Sequence, residues 1–361
     1  MSVALELDLS LDHEMLRPGE MLNQYRIDQC LGSGACGVVY RAYDLRLERK
    51  VALKLLARHL QTDTLGWGRL LREARAASRL SHPCLCSIYD VAEERGHTYL
   101  AMEYVEGEAL RQIIPAGGLP VAETLNYGEQ LAGALAHVHE RGIIHRDIKS
   151  SNVIITPRRQ AKLLDFGLAL RVHHRGVQPY ESSSWSSQEG IEPLGGTLPY
   201  MAPEVLRGER AGVQSDLWSL GVLLYEMLSG KLPFVGKTSI EVGAAILTEP
   251  IPALPRNVPA QVAALVDSCL EKDGARRYAA ATELNSDLRK ASADVAKGAV
   301  KSALICWCRG IARWPRMRCQ SREPCLLGPL NSPLHVCLDL GWFRKSFGRH
   351  DSTARRDGTR R

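Results

Sequence analysis

Nowhere in its 361 residues does the sequence hold the roughly 18 consecutive apolar residues that a membrane-spanning helix needs. The nearest run, Ser302 to Cys308, is far too short. The start, MSVALELDLSLDHEML, lacks a basic stretch ahead of its apolar residues and carries several acids, which argues against a secretory signal. These two absences lead to the expectation of a cytoplasmic chain. Internal repeats are missing as well, which excludes solenoids and propellers. Ten cysteines are present, yet no spacing among them matches a zinc site. Cys30, Cys36, Cys84, Cys86 and Cys269 are scattered. Cys306, Cys308, Cys319, Cys325 and Cys337 crowd the C-terminal part, but in no metal-binding rhythm. Reduced thiols are expected of a cytosolic chain.

What is present is uneven. The net charge of +6 comes from one end: residues 291–361 hold 14 Lys and Arg against 5 Asp and Glu. The first 290 residues hold 32 against 35 and are slightly acidic. Such a basic tail can bind nucleic acid or an anionic membrane, and can equally be a solvated, disordered end. Residues 1–24 read as a polar leader. From Tyr25 five strands follow: YRIDQCLGSG, CGVVYRAYD, KVALKLLA, and a hairpin of two around Glu94-Arg95-Gly96. One helix, about Leu65 to Leu80, interrupts them, with Leu70, Leu71, Ala74, Ala77 and Leu80 at helical spacing. After Gly107 the chain turns helical. Val121 to Arg141 carries Val121, Leu125, Leu131, Leu135 and Val138 on one face and stops at Gly142. Val213 to Gly230 carries Leu217, Leu220, Leu224 and Met227. Val258 to Lys272 and Ala281 to Ala291 are further helices. The pattern predicts an α+β protein of two lobes: a small β lobe with one main helix over about 25–105, and a larger helical lobe over about 106–290. The tail, 291–361, is expected to be disordered.

Four strings bear chemistry. LGSGACGVVY, Leu31 to Tyr40, places Gly32, Gly34 and Gly37 ahead of Val39 at a strand-to-strand turn. Glycines there let backbone N–H groups approach phosphate oxygens. A dinucleotide-binding turn has the same glycines but is followed by a helix, whereas here a strand follows. VALK ends an apolar strand on Lys54, and a Lys in a buried run needs a partner. Glu73 on the first helix can supply one, holding Lys54 for phosphates. HRDIKSSN, His145 to Asn152, is the most specific string. Asp147 suits the orientation of a hydroxyl and the acceptance of its proton, Lys149 suits the neutralisation of a γ-phosphate, and Asn152 offers a neutral oxygen to a hard cation. DFG follows at Asp165, a second oxygen ligand, with Phe166 packing between lobes. GTLPYMAPE, Gly196 to Glu204, and DLWSLG from Asp216 come next.

With these strings in order, the sequence resembles the eukaryotic-type protein kinases, and in particular the bacterial Ser/Thr branch, over about Tyr25 to Lys290. The resemblance implies a bilobal protein kinase fold and transfer of the ATP γ-phosphate to protein substrates, with Mg2+ or, alternatively, Mn2+. It implies a nucleotide site lined by Leu31, Gly32, Ser33, Gly34, Ala35, Cys36, Gly37, Val39, Ala52 and Lys54. MEYVEG is similar to the family's interlobe hinge, which puts Met102 at the back of the adenine pocket and the backbone of Glu103 and Val105 on adenine. It further implies Asp147, Lys149, Lys54 and Glu73 as catalytic residues, Asn152 and Asp165 as metal ligands, a buried Glu204–Arg277 pair, and Asp216 as a brace for the catalytic loop. Lys149 and Thr197 match the pattern of Ser/Thr kinases. Arg146 is expected to bind a phosphate on the segment 165–204, which contains Tyr180 and where Ser182 to Ser187 are the expected sites of autophosphorylation in a homodimer. Cys36 departs from the aromatic or Met often found at its position. Two other readings stay open: a nucleotide-responsive pseudokinase scaffold, and a kinase tethered through its basic tail.

Overall fold

The computed structural model describes residues 16–34, 37–57, 74–164 and 196–311, with side chains described as far as residue 298. Two compact units emerge, Met1–Ile305 and Cys306–Arg361. Most of the expected helix over 65–80 lies outside the described residues; of the described 74–80, residues 74–78 are helical. Of the tail expected to be disordered, residues 291–311 are helical and the remainder lies outside the described residues.

The first lobe is an antiparallel sheet ordered β1-β2-β3-β4-β6-β5. Its strands are β1 (Met21–Leu22), β2 (Tyr25–Gly34), β3 (Gly37–Asp44), β4 (Arg49–Leu56), β5 (Ile88–Glu94) and β6 (His97–Glu103). The five expected strands are there. The sixth, β1, is a two-residue edge strand pairing Met21 with Arg26 and Leu22 with Tyr25. Its turn depends on Asn23 at φ 50, a left-handed position that Asn tolerates. Arg95 at φ 52 and Gly96 at φ 73 make the expected hairpin turn between β5 and β6.

The period-2 geometry of strands explains how one sheet serves two clusters. On β4 and β6, Leu53, Leu55, Tyr99 and Ala101 point into the lobe's own core with Tyr25, Val38 and Tyr40. The alternate residues Ala52, Leu56, Leu100 and Met102 point the other way, with Val105 and the partly buried Val39, Ile154 and Leu164. That second face therefore meets side chains of the larger lobe.

The larger lobe is built on α1 (Val121–His139) and α2 (Val213–Ser229). Leu125, Leu131, Leu135 and Val138 of α1 and Leu217, Leu220, Leu224 and Met227 of α2 are all buried in one core. Val121 is only partly buried at its margin. Helix α2 is buried nearly all round, as befits the centre of a lobe, and ends at Gly230, φ 72, a left-handed C-terminal cap. Helices α3 (Ser239–Thr248), α4 (Ala260–Cys269) and α5 (Ala281–Ile311) follow, and short helical turns occur at Leu110–Ile113 and Pro203–Leu206. Helix α5 runs some twenty residues past the expected stop at Ala291. No proline occurs between Ala281 and Ile311, so nothing forces an earlier end. A second small sheet, β7 (Glu108–Ala109), β8 (Val153–Ile155) and β9 (Ala161–Leu163), lies where the chain passes between lobes.

Candidate active site

The loop from His145 to Asn152 carries the site, and a buried carboxylate shapes it. Asp216, in the first turn of α2, is fully buried, where the helix N-terminus favours negative charge. Its Oδ2 accepts from the backbone N–H of His145 and its Oδ1 from that of Arg146, each at 2.8 Å. The His139 ring nitrogen Nε2 also lies 2.8 Å from Oδ2. These bonds hold Arg146 at φ 70, a conformation that costs a non-glycine residue about 1 kcal/mol or more. The kink presents the next residue, Asp147, to the cleft.

Asp147 sits in a four-residue cluster. Lys149 Nζ lies 2.9 Å from its Oδ1 and donates to Thr197 Oγ1 at 2.7 Å. Thr197 Oγ1 in turn donates to Asp147 Oδ1 at 3.0 Å. Asn152 Nδ2 donates to Asp147 Oδ2 at 2.7 Å and to its carbonyl at 2.9 Å. With the side-chain nitrogen Nδ2 committed to Asp147, the side-chain oxygen Oδ1 of Asn152 is the end that could hold a cation. Leu164 N–H donates to the Asn152 backbone carbonyl at 2.7 Å, and the His145 ring nitrogen Nε2 lies 3.1 Å from the Leu164 carbonyl. Strand β9 and the catalytic loop are thereby joined.

The glycine-rich turn closes β2 onto β3, with Gly32 opposite Val39, Ser33 opposite Val38, and Gly34 opposite Gly37. Leu31 is exposed beside it. The glycines have different reasons to be there. A Cβ on Gly37, at φ +131, would lie 1.8 Å from the Leu55 carbonyl oxygen, so the strand itself requires glycine. A Cβ on Gly32 or Gly34 would meet no described atom within 4 Å. Lys54 stands on β4 opposite Val39 and Leu100, half-buried between the buried Leu53 and Leu55. Ala52 pairs with Met102, and both belong with Val105 to the cleft-facing cluster. The structure thus brings together Val39, Ala52, Met102 and Val105 on one side, and Asp147, Lys149, Asn152 and Thr197 on the other. Ala35, Cys36, Glu73 and Asp165 lie outside the described residues, as do Phe166 and the hydroxyls from Tyr180 to Ser187.

Supports surround the site. Arg277 donates to both oxygens of Glu204 at 2.9 Å and to the carbonyls of Glu271 and Gln214. Burial pushes the Glu204 carboxyl up, but its bonds to Arg277 and Ser215 outweigh this and hold it below the usual range. Three groups escaped the sequence reading. Glu226 of α2 accepts from Tyr200 OH at 2.5 Å and from Ser150 Oγ at 3.0 Å, and burial raises its pKa. Lys162 of β9 pairs with Glu103 at 2.7 Å. Ile154 and Leu164 line the cleft beneath Ala52 and Met102. A lone acid within LLYEMLS and a lone Lys within AKLL were the available signals, of the same kind that singled out Lys54.

The protein kinase domain family matches residues 25–288. The chain is similar to the serine/threonine-protein kinase PrkC of Bacillus subtilis, 35% identical over 281 residues, which are 77% of this chain and 42% of that protein. It is 38% identical over 261 residues to PknA of Mycobacterium tuberculosis, covering 71% of this chain and 58% of that one. The chain therefore spans about half the length of these curated relatives. Among solved structures, the PknI kinase domain of Mycobacterium tuberculosis matches with a TM-score of 0.59 at 26% identity, over 76% of this chain and 98% of that one. The fold, the cluster at Asp147 and these likenesses agree: the chain belongs to the protein kinase family, in its bacterial serine/threonine branch.

Proposed function

We propose that the chain transfers the γ-phosphoryl group of ATP to serine and threonine hydroxyls of proteins. The observation that carries this reading is the arrangement of Asp147 with Lys149, Thr197 and Asn152. A carboxylate offers about four acceptor sites, and three on Asp147 are occupied by these neighbours. One remains to orient an incoming hydroxyl and receive its proton. Lys149 stands beside that point as a mobile positive charge for the transferred phosphate. Thr197 fixes both groups, in line with a Ser/Thr preference.

Adenine is assigned to the apolar cleft between Ala52 and Val39 above and Ile154 below, with Met102 behind and the Glu103 and Val105 backbone at its edge. The open space over Gly32 and Gly34 supports phosphates lying against that turn, and Lys54, with Glu73 as its expected partner, is assigned to them. The donor set of Asn152 with Asp165, a neutral and an anionic oxygen, fits a hard cation, Mg2+ or Mn2+. Bound there, such a cation supplies charge neutralisation to the phosphates. Among the described residues no three His, Cys, Asp or Glu side chains gather as a separate metal cage, and no helix is long and apolar enough to cross a membrane. The reaction is assigned to the cytoplasm, where ATP is supplied. A second copy of the chain is one natural substrate, through Ser182 to Ser187 and recognition of the product by Arg146. Incubation with γ-labelled ATP and a general protein substrate tests the reading. Label on phosphoserine and phosphothreonine is expected; label on phosphotyrosine alone, or none, overturns it.

A further inference from the structure

Lys162 has no part in the chemistry just described, yet it makes one of the best-formed ion pairs in the protein. Its ammonium lies 2.7 Å from Glu103 Oε1 and 2.8 Å from Oε2. It also donates to the Leu85 carbonyl at 3.3 Å. Both side chains are largely shielded, with 14% and 25% of their surface exposed. Glu103 ends β6, at the edge assigned to adenine. Lys162 lies in β9, on the other side of the segment Cys84–Ser87.

That segment is bonded to both strands. Glu103 N–H donates to the Ser87 carbonyl at 2.9 Å, and Ser87 N–H donates back to Glu103 Oε2 at 3.3 Å. The Cys86 thiol lies 3.5 Å from the Glu103 carbonyl oxygen. On its far side, Cys86 N–H donates to the Leu163 carbonyl at 2.9 Å and Leu163 N–H to the Cys84 carbonyl at 2.8 Å. One residue further, Leu164 is bonded to Asn152 and His145. A continuous series of bonds thus runs from the adenine edge to the catalytic loop, and Lys162 is its one charged tie. ATP must touch both ends at once, so the spacing between them is a condition of binding.

We propose that Lys162 is a positioning residue for the nucleotide: by clamping the Glu103 carboxylate onto β9, it sets the distance between the adenine edge and the phosphate-binding end of the cleft. The inference rests on the reading of the cleft as an ATP site. Without Lys162, the Glu103 carboxylate turns toward water, and the backbone it anchors shifts with it. A misplacement of this kind falls on binding rather than on the acid–base groups.

The test is steady-state kinetics of the full chain with ATP and a fixed protein substrate, on wild type, Lys162→Met, Lys162→Arg, Glu103→Gln and the Lys162→Met/Glu103→Gln double variant. Loss of a hydrogen bond to a charged group is expected to raise the ATP KM about tenfold in Lys162→Met, with kcat and the KM for protein substrate within about twofold. Glu103→Gln should show the same split, the double variant should be no worse than either single one, and Lys162→Arg should restore the ATP KM. An unchanged ATP KM in Lys162→Met, additive effects in the double variant, or a loss confined to kcat overturns the proposal. Should Lys162→Met lose its thermal transition, Glu103→Gln and Lys162→Arg decide in the same terms. A wild-type chain without ATP-dependent labelling refutes the kinase reading, whereas an active wild type with an insensitive Lys162 refutes only this inference.

Discussion

At the scale of residues, the site is a set of shared hydrogen bonds, and Thr197 is the most exposed to test. Its hydroxyl is acceptor to Lys149 and donor to Asp147. Thr197→Val should lower kcat by about tenfold or more, the cost of bonds to charged partners, while leaving the ATP KM in place. Steady-state kinetics check this, and an unaltered kcat would contradict it. Two half-buried acids make opposite predictions for pH. Burial raises the Glu204 pKa, but its bonds to Arg277 and Ser215 together outweigh this and leave it lowered. Its contribution to stability is thus present above the unfolded carboxylate value and is lost as pH falls through the lower folded one. Glu204→Gln leaves the guanidinium of Arg277 buried without its anion and should cost about 3 kcal/mol at pH 7. That difference should shrink on acidification. Glu226 is raised by burial, so its charge opposes folding at neutral pH, and stability from this group grows as pH falls through the raised value toward the ordinary one. Glu226→Gln should therefore be tolerated far better at pH 7. Urea denaturation at pH 7 and pH 4 compares the two; equal losses at pH 7 would contradict the account.

At the scale of elements, glycines separate what the sheet needs from what a ligand needs. Gly37→Ala drives a Cβ into the Leu55 carbonyl at a positive φ and should lose about 2 kcal/mol or more of stability. Gly32→Ala meets no described atom and should melt close to wild type. Differential scanning fluorimetry distinguishes them, and equal melting temperatures would be inconsistent with this packing. The elements also show which signals a sequence carries. Helices α1 and α2 were legible because Leu125, Leu131, Leu135 and Val138, and Leu217 through Met227, repeat at helical spacing and all turn out buried. The β5–β6 turn was legible from Arg95-Gly96. Strand β1 was not, because a two-residue edge strand has no periodicity. Helix α5 outran its expected end because a fading apolar pattern removes the reason to pack, and not the ability to stay helical. Within the site, Asp147, Lys149 and Asn152 stand in one short string and could be read together. Lys162 and Glu103, 59 residues apart, meet only through strand register, and Glu226 reaches Ser150 over 76. Such pairings are properties of the fold, for which the sequence offers at most a charged residue in an apolar run.

At the scale of the molecule, a single sheet works on two faces. One face builds the small lobe; the other, through Ala52, Met102 and Val39, meets Ile154 and Leu164 and makes the cleft. A ligand held between these surfaces stabilises the whole unit. ADP with Mg2+ at about 100 times its Kd should add about 2.7 kcal/mol and raise the melting temperature, and the absence of any shift would speak against the cleft as a nucleotide site. In the proposed function, phosphoryl transfer depends on the Asp147 carboxylate, to which Lys149, Thr197 and Asn152 are bonded. The most direct test compares γ-phosphate transfer to serine and threonine by the wild-type chain and by Asp147→Asn, with ADP binding measured on both. The account predicts that the variant binds ADP like wild type while transfer falls by a factor of at least about 100. Equal transfer by both proteins would contradict it.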